Sequence, residues 1–125
     1  MKYLFLLFIL FGCSCSESEK PNYDNSTFLD MGREGDPDLK IILPESIADT
    51  VVDCNEYTPP CRYGLKVIVK NIQMKALYYD SQKDAKQAAI RFKGYVSRNW
   101  ALDDVVGEPI LERFVEKYLN AVRAE

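Results

Sequence analysis

The sequence predicts an α+β fold in which a small antiparallel sheet of three to four strands is covered by two C-terminal helices. Two observations indicate this class. Between residues 39 and 79, short runs of apolar and β-branched residues alternate with turn residues, as strands do. After residue 81, apolar residues recur at helical spacing in two separate stretches. The 125 residues, of which 47% are hydrophobic and 28% charged, suffice for one globular domain.

Four stretches have the length and composition of strands. They are residues 39–43, 50–54, 65–70 and 74–79. In the third, Lys66, Ile68 and Lys70 share one face while three apolar residues form the other, which is typical of a half-buried antiparallel strand. If the alternation continued without interruption, the apolar residues of the fourth stretch would lie on the face opposite to those of the third. A bulge or turn is therefore predicted near Asn71.

Two helices are predicted after the strands. Ser81 followed by Asp84 is a capping signal, and the helical stripe that follows continues to about Arg98. Gly94 lies on the polar face of this helix and is expected to weaken it without ending it. Pro109 is suited to the first turn of the second helix, whose apolar stripe continues to Val122.

The amino terminus has the pattern of an export signal. Lys2 precedes eight large apolar residues at positions 4–11, a run shorter than the ~20 residues that cross a bilayer. The run ends in Leu-Phe-Gly-Cys at residues 10–13, which resembles the lipobox of bacterial lipoproteins. An ordinary secreted protein and a retained membrane segment are the alternatives.

The resemblance to bacterial lipoproteins implies three properties. The leader, residues 1–12, would be removed, and the thiol of Cys13 would carry a diacylglyceryl group. Ser14 at the next position implies an outer-membrane address, with the protein facing the periplasm or the cell surface. We therefore expect a lipid-anchored protein of the cell envelope.

Residues 13–38 are expected to form a flexible lipidated tether, and residues 39–125 the folded domain. The tether is rich in Ser, Asn, Asp, Gly and Pro and lacks an apolar period. Within it, Phe28, Leu29 and Met31 are expected to pack on the domain, or to form part of a partner-binding stretch.

Cys54 and Cys61 flank a turn-like hexapeptide, and export would bring them to an oxidising compartment, so a disulfide between them is predicted. Two reduced thiols, or a redox or metal role, are the alternatives. Cys15 is left over, as a bystander beside the lipid, a second acylation site or an intermolecular disulfide partner.

Two regions are candidate binding sites. The first is the loop closed by the predicted disulfide, where little ordering entropy would be lost on binding. The second is the basic face of the first predicted helix, since residues 59–101 carry nine bases and two acids, a net charge of +7. Local packing of the loop and neutralisation of the helix by acidic segments are the alternatives. The candidate residues are Tyr57, Pro59, Pro60, Arg62, Lys83, Lys86, Lys93 and Arg98.

The composition restricts the function. Because the chain has no histidine, it cannot supply a Ser-His-Asp triad, a Cys-His pair or a histidine-ligated zinc by itself. We expect a non-enzymatic binding or assembly module without metal or cofactor, whose partners are the membrane and an envelope protein or anionic envelope polymer, but not nucleic acid. One alternative is an exclusion or inhibitor lipoprotein of a mobile element. Another is a small hydrolase that uses the carboxylates of Asp103, Asp104 and Glu108.

Overall fold

The computed structural model describes residues 20–44 and 51–125. The predicted leader, Cys13, Cys15 and the first residue of the predicted second strand lie outside these residues. Of the helices in the two described ranges, none has both the length and the hydrophobicity needed to span a membrane. In chain order the elements are α1 (Asn25–Gly35), β1 (Lys40–Ile42), a 3-10 helix (Cys54–Glu56), β2 (Tyr63–Val69), β3 (Ile72–Tyr78), α2 (Gln82–Phe92), β4 (Tyr95–Ser97), β5 (Trp100–Asp103), α3 (Pro109–Tyr118) and β6 (Val122–Arg123).

The strands form one antiparallel sheet in the order β1-β2-β3-β5-β4-β6. The prediction of three to four strands covered by two C-terminal helices is therefore wrong. The described residues form six strands and three helices, and one helix precedes the sheet. Strands β4, β5 and β6 contain three, four and two residues, too few for an alternating pattern to be recognised.

The β2–β3 hairpin confirms the predicted third and fourth strands and the predicted turn. Lys70 and Asn71 connect the strands with φ angles of 51° and 67°. Two successive residues in this left-handed region match the twist of an antiparallel hairpin. The turn fixes the register, so that Val69 pairs with Ile72 and Lys66 with Lys75.

Three other predicted elements differ from the structure. The last helix ends at Tyr118, and Val122, predicted to belong to its apolar stripe, lies in β6 and is 63% exposed. No strand forms at Val51–Cys54, where the side chain of Asp53 instead accepts a hydrogen bond from the backbone of Asn55 at 3.0 Å and caps the 3-10 helix. The helix predicted to continue to Arg98 ends at Phe92. Lys93 turns the chain with a φ of 58°, and a Cβ atom on Gly94 would lie 2.5 Å from the carbonyl oxygen of Leu102. Gly94 thus permits a close backbone approach to β5 directly after the turn at Lys93, so the prediction that it lies on the polar face of a continuing helix is wrong.

Helices α1 and α3 cover one face of the sheet. The ring of Phe28 on α1 stacks on Trp100 of β5 with 4.1 Å between centroids, and both side chains are buried. Phe114 and Val115 of α3 belong to the same core cluster. Phe28 and Leu29 therefore pack on the domain, as one reading of the sequence predicts, although the segment assigned to the tether contains a complete helix.

Helix α2 covers part of the opposite face. Ala85, Ala88 and Ala89 pack with Leu77 of β3 and Ala101 of β5. The small side chains bring the helix close to the sheet. Beyond Leu77, towards the β2–β3 turn, the residues of this face are exposed or half-buried.

Candidate functional site

The uncovered part of the second face carries alternating lysine and apolar residues, and we call it the sheet surface. The strand registers place Ile42, Lys66 and Lys75 in one row and Lys40, Ile68 and Gln73 in the next. Lys40 and Gln73 are exposed, and the other four are half-buried. The sheet surface thus combines three cations with two isoleucines on a rigid antiparallel frame.

Lys66 and Lys75 lie directly opposite each other on neighbouring strands. Directly opposed residues have Cβ atoms about 5 Å apart, and like charges in this position destabilise a sheet. On its other side, Lys75 pairs with Asp103 across β3 and β5, and its ammonium lies 3.6 Å from the carboxylate of Asp104. In the described ranges Lys66 has no carboxylate within ion-pair distance, so its ammonium is the cation of this row that lacks an ion-pair partner.

The predicted disulfide is present and fixes the loop beside the sheet surface. Cys54 is joined to Cys61, with 4.8 Å between the Cα atoms. Tyr57 packs edge-on against Phe92 of α2, and its hydroxyl donates a hydrogen bond to Asp103 at 2.7 Å. The loop is therefore held against α2 and β5 at separate points.

The environment of Tyr57 favours its neutral form. Burial, then the hydrogen bond to Asp103 and the negative charge of that carboxylate, raise the pKa of the Tyr57 phenol, and the charges of Asp104 and Glu56 add to the effect. A phenol that stays protonated keeps its hydrogen bond throughout the physiological range. Tyr57 therefore acts as a structural link between the loop and the sheet.

The other predicted loop residues have different surroundings. The carbonyl oxygen of Pro59 accepts a hydrogen bond from the hydroxyl of Tyr79 at 2.7 Å. Pro60 and Arg62 are exposed, and Arg62 lies 3.3 Å from Asp80 in an ion pair at the surface. The loop thus packs locally through Tyr57 and Pro59 and presents Pro60 and Arg62 to solvent.

An apolar cleft of about 470 Å³ borders the sheet surface. Ile42, Leu43, Val52 and Tyr63 are among the residues that line it. Leu43, at the end of β1, is 78% exposed. The side of the sheet surface next to the disulfide loop therefore offers apolar contact area.

The four cations predicted to share one helix face do not do so. Lys83 and Lys86 are exposed on α2, but Lys93 is its left-handed C-cap. Arg98 lies in the turn between β4 and β5, with a φ of 54°. The prediction assumed a single helix through all four positions. The chain reversal at Lys93 takes Lys93 and Arg98 off the helix face, although Lys86 and Arg98 still line one shallow groove.

The carboxylates considered for a hydrolase have partners within the fold. Asp103 accepts the hydroxyl of Tyr57 on one oxygen and the backbone N–H of Asp104 on the other, the latter at 2.9 Å. Asp104 pairs with Lys75, and Glu108 is exposed at the start of α3. Trp100, next to this segment, is fully buried in the core. The cluster therefore links the loop, the sheet and a turn.

Sequence reasoning missed Lys40 and Lys75 as site residues. It placed Lys66 and Lys70 with Ile68, whereas Lys70 belongs to the turn. The signal for Lys75 was the turn itself, because a two-residue connection at Lys70 and Asn71 implies the register that pairs Lys66 with Lys75.

Comparisons of the chain with protein-family models, with characterised proteins and with solved structures give no match.

Proposed function

We propose that this protein is a lipid-anchored, non-enzymatic binding module of the cell envelope, whose sheet surface docks an acidic segment of another envelope protein. The lipobox-like sequence ending at Cys13 supports the anchor. The cations and isoleucines of the sheet surface support the kind of partner.

The observation that carries the binding proposal is the direct opposition of Lys66 and Lys75. A carboxylate of a partner placed between the two ammonium groups would replace a repulsion by two attractions. The isolated domain bears the unfavourable pair, and the complex would relieve it. Two opposed lysines on one sheet face thus fit a surface that is completed by an anion.

The apolar residues favour a protein over an anionic polymer. Ile42 and Ile68 alternate with the lysines, and the exposed Leu43 follows at the end of β1. A polysaccharide or polyphosphate would satisfy the lysines and leave these side chains in water. A protein segment that presents both carboxylates and apolar side chains would cover both kinds of residue.

The anchor would act by proximity. Lipid chains confine a protein to a surface, and two or more chains hold it stably. Confinement raises the effective concentration of the sheet surface for a partner in the same membrane, so that a modest contact suffices.

The anchor is tested by intact-mass analysis of the protein extracted from membranes of a two-membrane bacterium. We expect the mass of a chain that begins at Cys13 and carries acyl groups. If the protein extracted from membranes carried no acyl group on Cys13, the proposed lipid anchor would be contradicted.

The surface is tested by placing a photo-reactive amino acid at Gln73 in the membrane-bound protein. Glu116, exposed on α3 at the other face of the sheet, is the matched control position. We expect a defined cross-linked protein from position 73, none from position 116, and loss of the product when Lys66→Glu and Lys75→Glu are combined. Equal products from both positions, or a product that survives the double substitution, would contradict the assignment.

A further inference from the structure

The amino-terminal end of the described chain is fixed at the start of α2. The side-chain amide of Gln82 donates hydrogen bonds to the carbonyl oxygen of Lys20 and to the side chain of Asn22, the second at 3.0 Å. The side chain of Asn22 in turn donates to the carbonyl oxygen of Asp80 at 3.1 Å. These contacts position Lys20 beside the first turn of α2.

The turn between β4 and β5 holds the next residues. The guanidinium of Arg98 donates to the carbonyl oxygen of Pro21 at 2.6 Å and lies 4.6 Å from the centre of the Tyr23 ring. The backbone N–H of Tyr23 donates a hydrogen bond to the side chain of Asn99 at 2.8 Å. The carbonyl oxygen of Tyr23 accepts a hydrogen bond from the buried indole of Trp100 at 3.0 Å. The chain is thus part of the fold from Lys20 onward.

This attachment limits how far a lipid on Cys13 could lie from the domain. Six residues lie between Cys13 and Lys20, and the seven Cα-to-Cα steps that join them span at most ~25 Å when fully extended. The end of the domain that contains Lys20 and the start of α2 must therefore lie near any membrane that holds the lipid.

This end of the domain is basic. Lys83 and Lys86 are exposed neighbours on α2, and Lys20 is exposed beside them. In the parts of the chain that the structure describes, none of these three lysines has a carboxylate within ion-pair distance, and Asp80 is paired with Arg62. We call Lys20, Lys83 and Lys86 the anchor-side surface.

Apolar surface lies next to the anchor-side surface. Lys86, Arg98 and Val122 line a shallow groove of about 200 Å³, and Val122 is 63% exposed. Cations around an exposed apolar side chain suit the boundary between lipid headgroups and water.

We propose that the anchor-side surface faces the membrane that carries the lipid anchor and that its lysines contact the headgroups of anionic phospholipids. This inference rests on the proposed lipidation of Cys13, and it adds an orientation to the proposed function. Gln73 lies five residues before Tyr78 on β3, and Tyr78 is at the strand end that leads to α2. At ~3.4 Å per residue, this puts Gln73 about 17 Å, and Lys75 about 10 Å, from that strand end along β3, so that the sheet surface lies away from the anchor side.

Lysine acetylation of the native lipidated protein tests this orientation. The protein is reconstituted in detergent, in phosphatidylcholine vesicles, and in the same vesicles with added phosphatidylglycerol, and the acetylation rate of each lysine is measured by mass spectrometry. Lys117, exposed on α3, is the internal control. In the anionic vesicles we expect Lys83 and Lys86 to react about fivefold more slowly than in detergent. Attraction to an anionic surface increases the ratio of headgroup-bound to free lysine by about this factor, and a lysine bound to a headgroup is less accessible to the reagent. Lys117 should change little.

The outcomes separate the inference from the proposed function. If intact mass shows lipid on Cys13 but Lys83 and Lys86 react as fast in anionic vesicles as in detergent, the orientation is wrong and the anchor stands. Equal protection in neutral and anionic vesicles would overturn the headgroup contact. An unmodified Cys13 would overturn the anchor, and the inference with it. Slow acetylation of Lys83 and Lys86 in the vesicles that contain phosphatidylglycerol, but not in detergent or in phosphatidylcholine vesicles, supports the proposal.

Discussion

Replacing Lys66 by glutamate is expected to stabilise the isolated domain while weakening partner binding. The substitution changes a repulsive cross-strand pair with Lys75 into an attractive one. Most substitutions destabilise a protein or have little effect. A gain in stability at a residue of the sheet surface would therefore be an informative result.

The magnitude follows from the geometry of the pair. Cross-strand charge pairs contribute about 0.2–1 kcal/mol each, with opposite signs for like and unlike charges. The side chain of Lys75 is 28% exposed, and its ammonium also lies 3.6 Å from the carboxylate of Asp104. Because solvent and this second partner both weaken the pair with residue 66, we expect a total change in the free energy of unfolding of about 1 kcal/mol. For a domain of this size, such a gain raises Tm by about 4 °C.

A double-mutant cycle isolates this effect. The free energy of unfolding is measured by urea titration for the native protein, Lys66→Glu, Lys75→Gln and the double variant. Lys66→Gln is the matched control, because it removes the repulsion without creating an attraction and should give about half the gain. The coupling should shrink in ~1 M salt, where charges are screened within about 3 Å. A coupling energy below about 0.2 kcal/mol, or one independent of salt, would refute the reasoning.

Three further predictions concern the fold. Phe28→Ala should lower the free energy of unfolding by about 3–5 kcal/mol, because the ring is fully buried in the core; a loss below about 1 kcal/mol in urea titration would contradict the place of α1 in the domain. Replacing Cys54 and Cys61 by alanine should cost about 2.5 kcal/mol through loop-closure entropy, and reductant should bring Tm of the native protein to that of the variant but not below it. The raised pKa of Tyr57 means that the folded state holds the phenolic proton more tightly than the unfolded chain. The resulting stability is present below about pH 10 and is lost as pH rises above it. Tyr57→Phe should therefore make stability decline less between about pH 9 and about pH 11, and an unchanged decline would count against the Tyr57 contact.

The elements predicted correctly from the sequence have strong local signals. The side chain of Ser81 accepts the backbone N–H of Asp84 at 3.1 Å, as the capping signal implies, and Pro109 is the first residue of α3. The β2–β3 hairpin has two seven-residue strands, long enough for alternation to show. Caps and alternation depend on neighbours in the sequence, so a single chain suffices to detect them.

Helix α1 was missed because its packing depends on residues distant in sequence. Its composition, with two glycines, resembles a linker. A Cβ atom on Gly35 would lie 2.3 Å from the Tyr118 ring, so this glycine permits contact with α3. Asp24 does provide a local signal, since its side chain accepts the backbone N–H of Thr27 at 2.7 Å. Without the position of α3, the cap alone did not distinguish a helix from a polar turn.

The sheet surface could be predicted only in part. Lys66 and Ile68 were correctly placed on one face, but the partner of Lys66 depends on the register that the turn at Lys70 and Asn71 imposes. The predicted cationic helix face failed for a related reason, since Gly94 marks a contact with a strand that comes later in the chain. In both cases the pairing of distant segments decided which side chains meet.

Anchored binding is tested most directly by comparing the cross-link from position 73 in the native protein and in Cys13→Ser, expressed at equal levels. The proposed function predicts a cross-linked partner when Cys13 is present, and a large loss of that product when the lipid cannot be attached. Lys66→Glu with Lys75→Glu should give the same loss while the protein stays in the membrane fraction. An undiminished cross-link in Cys13→Ser would contradict the central claim that the anchor delivers the sheet surface to its partner.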